Sequence, residues 1–231
     1  MITRLRAGVA RRLRRPVPPL REQLGLTRLE PVSRRFGADR GKPIDRWYME
    51  RFLAEHRADV RGRVLEIAER TYTDWYGDGQ VTHSDVLHRT GVPEATIVGD
   101  LTVPEDLPHE AFDCFICTQT FQVIEDLDAA IRGARSVLKP GGVLLATGAA
   151  MSQTSPEDLR DWGDWHRFTA QGLRRSFRAV FEEVEVGAHG NVLTCAAFLY
   201  GFAAEELTPA ELAHRDPHYD LLLTVRAVRG S

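Results

Sequence analysis

Polar residues stand where a series of short apolar runs ends. Glu66 lies at the end of the first run, Asp85 at the end of the second and Asp100 at the end of the third. The fourth run is followed by three more polar residues: Thr118, Gln119 and Gln122. An open α/β sheet binds its ligand outside the carboxyl ends of its strands, so the series predicts a ligand site. Each carboxylate taken alone could equally be a solvated loop residue or a helix cap.

The spacing of Glu66 and Asp85 adds a chemical expectation. It is about the spacing expected between a nucleotide-binding turn and an acidic residue that holds a ribose. A carboxylate suits that role because it accepts hydrogen bonds from two neighbouring hydroxyl groups. The pair therefore indicates a cofactor that contains a nucleoside.

A second group of reactive side chains lies further along the chain. Asp164, His166 and Arg167 offer a hydrogen-bond acceptor, a proton carrier and a fixed fork of donors, and the faces of Trp162 and Trp165 can stack on flat acceptors or sugar rings. The alternative is a structural cap, in which both tryptophans belong to the core and Arg167 pairs with a carboxylate. Both interpretations stay open.

The elements that must position these residues alternate in type. From Val64 onward, apolar runs typical of strands are separated by polar or helical segments; they read VLEI, VTHSDV, ATIVGD, FDCFIC, GGVLLAT, FEEVEVGA and LLLTVRAV. Such alternation predicts an α/β fold with a mostly parallel sheet. The clearest helix runs from Leu127 to Leu138 and is ended by KPGG.

The chain divides into three parts by composition. We predict a basic N-terminal arm (1–30), a helical lid segment (31–62) and an α/β domain (63–231). Residues 1–63 hold 17 Lys and Arg against 7 Asp and Glu, whereas the remainder holds 13 against 26. This asymmetry permits mutual docking or an anionic partner. No nucleic-acid recognition motif accompanies the arginines, so no specific nucleic-acid partner is predicted.

Composition excludes several classes of protein. No run of eighteen apolar residues and no apolar signal-peptide core occurs, so we expect a cytoplasmic protein without a transmembrane segment. Cys114 and Cys117 lie within one apolar run, where residues three apart point to opposite faces of a strand. They and Cys195 are interpreted as core residues, and no metal site is predicted.

Five motifs together give the sequence a family resemblance from Arg63 to Arg229. They are RVLEIAERTY, VTHSDVL, ATIVGDL, FDCFICTQTFQVIED and RSVLKPGGVLLAT, of which the last, a helix ending in LKPGG before an apolar strand, is the most specific. The sequence resembles a class I S-adenosylmethionine-dependent methyltransferase. That resemblance implies a Rossmann-like fold with a seven-stranded, mostly parallel sheet, an antiparallel last strand and helices on both faces.

The resemblance also implies roles for individual residues. Glu66 would hold the methionine part of the S-adenosylmethionine cofactor and Asp85 its ribose hydroxyls. Asp100 and Leu101 would flank the adenine, and Thr118 and Gln119 would lie near the transferring methyl group.

One motif departs from the family. Its first motif normally continues with glycines, which allow a positive φ and a close approach of the backbone to the ligand. Here the chain reads IAERTY. Ala68 and Tyr72 are predicted to contact the cofactor in a reshaped turn, and Trp75 to pack in the core, although either aromatic residue could take the other role.

The acceptor side rests on two further resemblances. DWHRFT is similar to methyltransferases encoded with glycosyltransferases or acting on small polar acceptors, and RGKPIDRWY resembles the lid segment of that group. They imply methyl transfer to a small polar acceptor, such as a sugar or glycosylated metabolite. Tyr48, Trp165 and Arg167 would bind the acceptor, and Asp164 and His166, with Gln119, would be catalytic.

Two other classes of function are weighed against the enzyme. The glycine-free turn motivates a methyltransferase-like scaffold that has lost its cofactor and serves as an accessory protein. A nicotinamide-dependent enzyme ranks last, because it needs the glycines at least as strongly and leaves LKPGG unexplained. A homodimer is compatible with every one of these hypotheses.

Overall fold

The computed structural model describes residues 29–230. The predicted basic arm therefore lies almost entirely outside the described residues. Val32–Ser231 form one compact unit, which contains the sheet, the helices and the candidate site.

A seven-stranded sheet forms the centre of this unit. Its strands are β1 (Gly62–Ile67), β2 (Val81–His88), β3 (Ile97–Val98), β4 (Phe112–Cys117), β5 (Leu138–Ala149), β6 (Glu183–His189) and β7 (Leu222–Val228). The spatial order is β3-β2-β1-β4-β5-β7-β6, and only β7 runs antiparallel to its neighbours. The predicted Rossmann-like sheet with an antiparallel last strand is confirmed.

Helices cover both faces of the sheet. They are α1 (Ile44–Glu55), α2 (Thr71–Tyr76), α3 (Leu127–Val137), α4 (Pro156–Asp161), α5 (Ala170–Arg178), α6 (Val192–Tyr200) and α7 (Pro209–Ala213). One apolar cluster contains the inner faces of α3 and α5, and the other contains those of α1, α6 and α7. Because strand residues alternate, Cys114 belongs to one cluster and Cys117 to the other. Both thiols are buried and free, and burial raises the pKa of each.

Helix α1 belongs to the same compact unit as the sheet. Its buried residues recur at helical spacing, so one stripe faces the core: Ile44, Tyr48, Met49, Phe52 and Leu53. On its outer side, the guanidinium carbon of Arg51 lies 4.8 Å from the centre of the Trp47 ring. Burial along one side therefore holds the helix in place, and the polar residues beside the buried stripe can contact other parts of the molecule.

Helix α3 ends one residue earlier than its sequence predicts. Asp126 caps its N-terminus, because the Asp126 side chain accepts a hydrogen bond from the Ala129 N–H at 2.9 Å. At the other end, KPGG stops the helix but lies within β5, where the pairing with β4 shifts register. Gly141 has a φ of 78°, a conformation that favours glycine. The motif therefore makes an abrupt change from helix to strand.

Gly133 lets α3 approach the segment that follows β3. A Cβ atom at this position would lie 1.9 Å from the carbonyl oxygen of Leu101, a backbone atom that cannot move alone. Glycine inside a helix is unfavourable by roughly 1 kcal/mol relative to alanine. Its presence here is explained by the close approach.

We expect Gly133→Ala to lower the free energy of unfolding by about 1–3 kcal/mol, because the added methyl group overpacks the contact with Leu101. Chemical denaturation measures this change. Gly91→Ala is the control, since a Cβ there meets no heavy atom within 4 Å. Equal stabilities of the two variants would contradict the assigned contact.

Candidate active site

A cavity of about 750 Å³ opens at the carboxyl ends of the parallel strands. Such clefts are the usual ligand sites of open α/β sheets. Its wall combines the turn after β1, the end of β2, the segment after β3 and the loop after β4; the lining residues there include Glu66, Ala68, Glu69, Tyr72, Leu87, His88, Arg89, Asp100, Leu101, Thr118 and Gln119. The remaining wall comes from α1 and from the loop after α4.

The carboxylate of Glu66 closes the turn after β1. It is buried and accepts hydrogen bonds from the Tyr72 N–H at 3.0 Å, the Thr73 N–H at 2.8 Å and the Thr73 hydroxyl at 2.7 Å. Burial raises the pKa of Glu66, although these donors act in the opposite direction. Glu66 therefore lines the cavity but uses its charge to cap the first turn of α2.

Ala68 adopts a backbone conformation that favours glycine. Its φ is 66°, in the left-handed region, and its N–H donates to the Leu87 carbonyl at 3.1 Å. This region costs a residue with a side chain roughly 1–2 kcal/mol. The turn is thus formed without glycine, with a methyl group on the cavity wall.

Tyr72 and Trp75 occupy different environments on α2. Tyr72 is buried with 4% exposure, and its hydroxyl accepts a hydrogen bond from Nη1 of Arg46 at 2.9 Å. Burial raises the pKa of Tyr72 to about 12. Trp75 packs edge-on against the Tyr72 ring but is 59% exposed. The prediction of a core position for Trp75 is wrong.

The placement predicted for Asp85 is also wrong. Asp85 lies within β2, paired with Leu65, and the strand continues for three more residues. Its carboxylate accepts hydrogen bonds from Nε of Arg63 at 2.8 Å and the hydroxyl of Thr96 at 2.9 Å. Burial alone would raise the pKa of Asp85, but these partners outweigh it and lower the pKa. Asp85 does not line the cavity, where the end of β2 instead presents Leu87, His88 and Arg89.

The segment after β3 lines the cavity as expected from its sequence position. Oδ1 of Asp100 accepts from the N–H and the hydroxyl of Thr102, both at 2.8 Å. Its Oδ2 lies 3.3 Å from Nε of Arg89. Leu101 is 4% exposed and rests against Gly133. Asp100 therefore rigidifies this wall and neutralises Arg89.

Gln119 forms the centre of the wall after β4. Its φ is 50°, and its N–H donates to the Thr147 carbonyl at 3.2 Å and hydroxyl at 3.1 Å. Its side chain donates to Oδ2 of Asp45 at 3.1 Å and accepts from Nε2 of Gln122 at 2.8 Å. Burial raises the pKa of Asp45 to about 6. Sequence reasoning missed Asp45, because nothing local in α1 marks a partner of the β4 loop.

Two tryptophans lie in the segment that follows helix α4. Trp162 and Trp165 both line it, and Trp165 is 51% exposed. The Trp162 ring meets the His88 ring edge-on, with centres 5.5 Å apart. The structural alternative, in which both rings belong to the core, does not hold for Trp165.

The predicted catalytic pair in this loop lies outside the cavity lining. Nε2 of His166 faces the carbonyls of Ile124 and Glu125 at 3.0 and 3.2 Å, so it donates a hydrogen bond that ties the loop down. Asp164 accepts from Nη2 of Arg167 at 2.8 Å, which lowers the pKa of Asp164. These contacts correct the predicted roles of Asp164, His166 and Arg167, because their polar atoms hold the loop in place.

The predicted role of Tyr48 in binding the acceptor is corrected in the same way. It is buried in the α1 stripe, and its hydroxyl donates to the Leu212 carbonyl at 2.8 Å. It does not line the cavity. Helix α1 instead contributes Arg46 and Met49 to the cavity, two residues that were not predicted from the sequence.

Within residues 29–230 no group of three or more His, Cys, Asp and Glu side chains is arranged to hold a metal ion. No helix there is long and apolar enough to cross a membrane.

Comparisons with known proteins match part of the sequence to a family model and the fold to solved structures. Residues 61–146 match a family model described as a methyltransferase domain, while no curated protein matches the sequence. A solved S-adenosylmethionine-dependent methyltransferase from Archaeoglobus fulgidus aligns with a TM-score of 0.53 at 12% identity, over 80% of this chain and 94% of that one.

Two other solved structures share the fold at similar distance. The [4+2]-cyclase SpnF aligns with a TM-score of 0.51 at 16% identity, over 83% of each chain. Phosphoethanolamine N-methyltransferase 2 of Haemonchus contortus, solved with S-adenosyl-L-methionine, gives 0.52 at 13% identity, over 80% of this chain and 53% of that one. Residues 61–146 of this chain are therefore similar to a methyltransferase domain, and the chain shares the fold of these solved structures.

Proposed function

We propose that this protein transfers the methyl group of S-adenosylmethionine to a small polar acceptor, such as a hydroxyl of a sugar or glycosylated metabolite. One observation carries the proposal. A single cavity joins the turn after β1, the Asp100–Leu101 wall, Gln119 and the face of Trp165. A cofactor and an acceptor can therefore occupy one continuous space.

The lining residues fit the cofactor in kind. Leu87 and Leu101 offer apolar contact to a flat base, while Thr118 and Gln119 offer polar groups at the middle of the cavity. Ala68 allows the chain to turn away after β1, as a glycine would. Because Asp85 does not line the cavity, we expect the end of β2 to contact the ribose through His88, which lies on the cavity wall.

The chemistry asks mainly for positioning. S-adenosylmethionine supplies a methyl group already activated as a sulfonium, so transfer to oxygen is an in-line displacement. Holding the acceptor in line accounts for much of such a rate, and a base matters only where the hydroxyl must lose its proton early. We propose that Gln119 orients the acceptor at the centre of the cavity, because its side chain is fixed between Asp45 and Gln122.

The acceptor would lie against the two tryptophans. Aromatic faces stack on sugar rings, and the exposed ring of Trp165 is available for this. The loop that carries it is held by hydrogen bonds from the N–H groups of Trp165 and His166 to the Gln122 carbonyl, at 2.9 and 3.1 Å. Asp164 and Arg167 support that loop from outside the cavity.

Calorimetric titration with S-adenosylhomocysteine tests the cofactor site through Ala68. We expect Ala68→Gly to bind S-adenosylhomocysteine at least as tightly as the wild type. Its free energy of unfolding should equal that of the wild type or exceed it by up to roughly 1 kcal/mol, because glycine accepts the positive φ but loses more entropy on folding. We expect Ala68→Val to bind at least about tenfold more weakly, since a β-branched residue resists this conformation and adds methyl groups to the wall.

Two results would contradict this assignment. Tight binding by Ala68→Val, with a normal melting temperature, would place the ligand elsewhere. No detectable heat with wild-type protein at millimolar ligand would favour the accessory scaffold over the enzyme.

The acceptor side is tested with Trp165→Ala. We expect this variant to keep its affinity for S-adenosylhomocysteine within about twofold while losing most methyl transfer to a panel of glycosides, measured with radiolabelled cofactor. The matched control is Trp75→Ala, which removes an exposed tryptophan outside the cavity lining. Equal loss of turnover in the two variants would refute the proposed acceptor position.

A further inference from the structure

Two guanidinium groups line the cavity, and they differ in their pairing. Arg89 is paired with Asp100. Arg46, on α1, forms no ion pair with any residue in the described range 29–230. Its Nη1 donates to the hydroxyl of Tyr72, which leaves its other N–H groups available. An unneutralised arginine on a cavity wall is a binding group for an anion.

The backbone beside Arg46 has little left to offer such an anion. The N–H of Ala68 donates to Leu87 and that of Glu69 to Ile67. The N–H groups of Tyr72 and Thr73 donate to Glu66. Four of the six amides from residue 68 to residue 73 are therefore already satisfied within the protein, which favours a side-chain cation as the main binding group for an anion.

A carboxylate also lines this part of the cavity. Glu69 is exposed, lies on the wall and forms no salt bridge within the described part of the chain. Arg46 and Glu69 thus present opposite charges to the same cavity. A ligand that carries a carboxylate and an ammonium on one carbon matches this pair.

We propose that Arg46 binds the carboxylate of the amino-acid end of S-adenosylmethionine, a contact that rests on the function proposed above. Tyr72 acts as a positioning residue, since its buried ring and its hydroxyl fix the guanidinium at the turn. The lid helix thereby supplies the anion-binding group that the glycine-free turn lacks.

Comparing two ligands tests this contact. S-adenosylhomocysteine carries the amino-acid group and 5′-methylthioadenosine lacks it, so calorimetry with both separates Arg46 from the rest of the site. We expect Arg46→Ala to weaken S-adenosylhomocysteine at least about tenfold and to leave 5′-methylthioadenosine within about twofold, because one charge-assisted pair is lost. Arg46→Lys, which keeps the charge, is expected to lose about threefold.

Arg51→Ala is the matched control, because Arg51 lies on the same helix, stacks on Trp47 and does not line the cavity. It should change neither affinity. Equal weakening of both ligands by Arg46→Ala, or none of either, would overturn the assignment of Arg46 while leaving the proposed function in place. Failure of the wild type to bind S-adenosylhomocysteine would instead overturn the proposed function itself.

Discussion

The hydrogen bonds of the Glu66 carboxylate hold the candidate site together. This buried group lies near the end of β1, next to the centre of the sheet, and accepts hydrogen bonds from the N–H groups of Tyr72 and Thr73 in the first turn of α2. Hydrogen bonds to a charged group contribute roughly 1.5–3 kcal/mol each, enough to offset the unfavourable φ at Ala68. The position of Tyr72, and through its hydroxyl that of Arg46, follows from the same carboxylate.

Local pattern was sufficient to predict the sheet. Each of the seven runs overlaps a strand, although ATIVGD contributes only Ile97–Val98. Family resemblance implied the antiparallel last strand, but the strand order was not predicted, since pairing between distant strands leaves no local trace. Asp85 shows where local reasoning failed: β2 extends past it because Arg63 and Thr96, from other segments, satisfy its charge.

The acceptor loop shows the same limit for chemistry. His166, Asp164 and Arg167 have the residue types of a catalytic group, but residue type does not reveal the partner. His166 meets carbonyls 41 and 42 residues earlier in the chain, and Asp164 meets Arg167 on its own loop. Trp165 lines the cavity, and its backbone is fixed by the hydrogen bond from its N–H to the Gln122 carbonyl. The sequence thus pointed to a loop that lines the cavity through Trp162 and Trp165, but residue type alone did not separate its lining residues from those that hold it in place.

Helix α1 changes what counts as the smallest transferable unit of this protein. The five motifs of the α/β domain begin near residue 63, yet Arg46 and Met49 belong to the cavity wall and Asp45 orients Gln119 from outside it. A graft or truncation that kept only residues 63–231 would preserve all five motifs and remove one wall. A related protein therefore shares this site only if it resembles this chain in helix α1 as well as in residues 63–231, because the five motifs account for only part of the cavity wall.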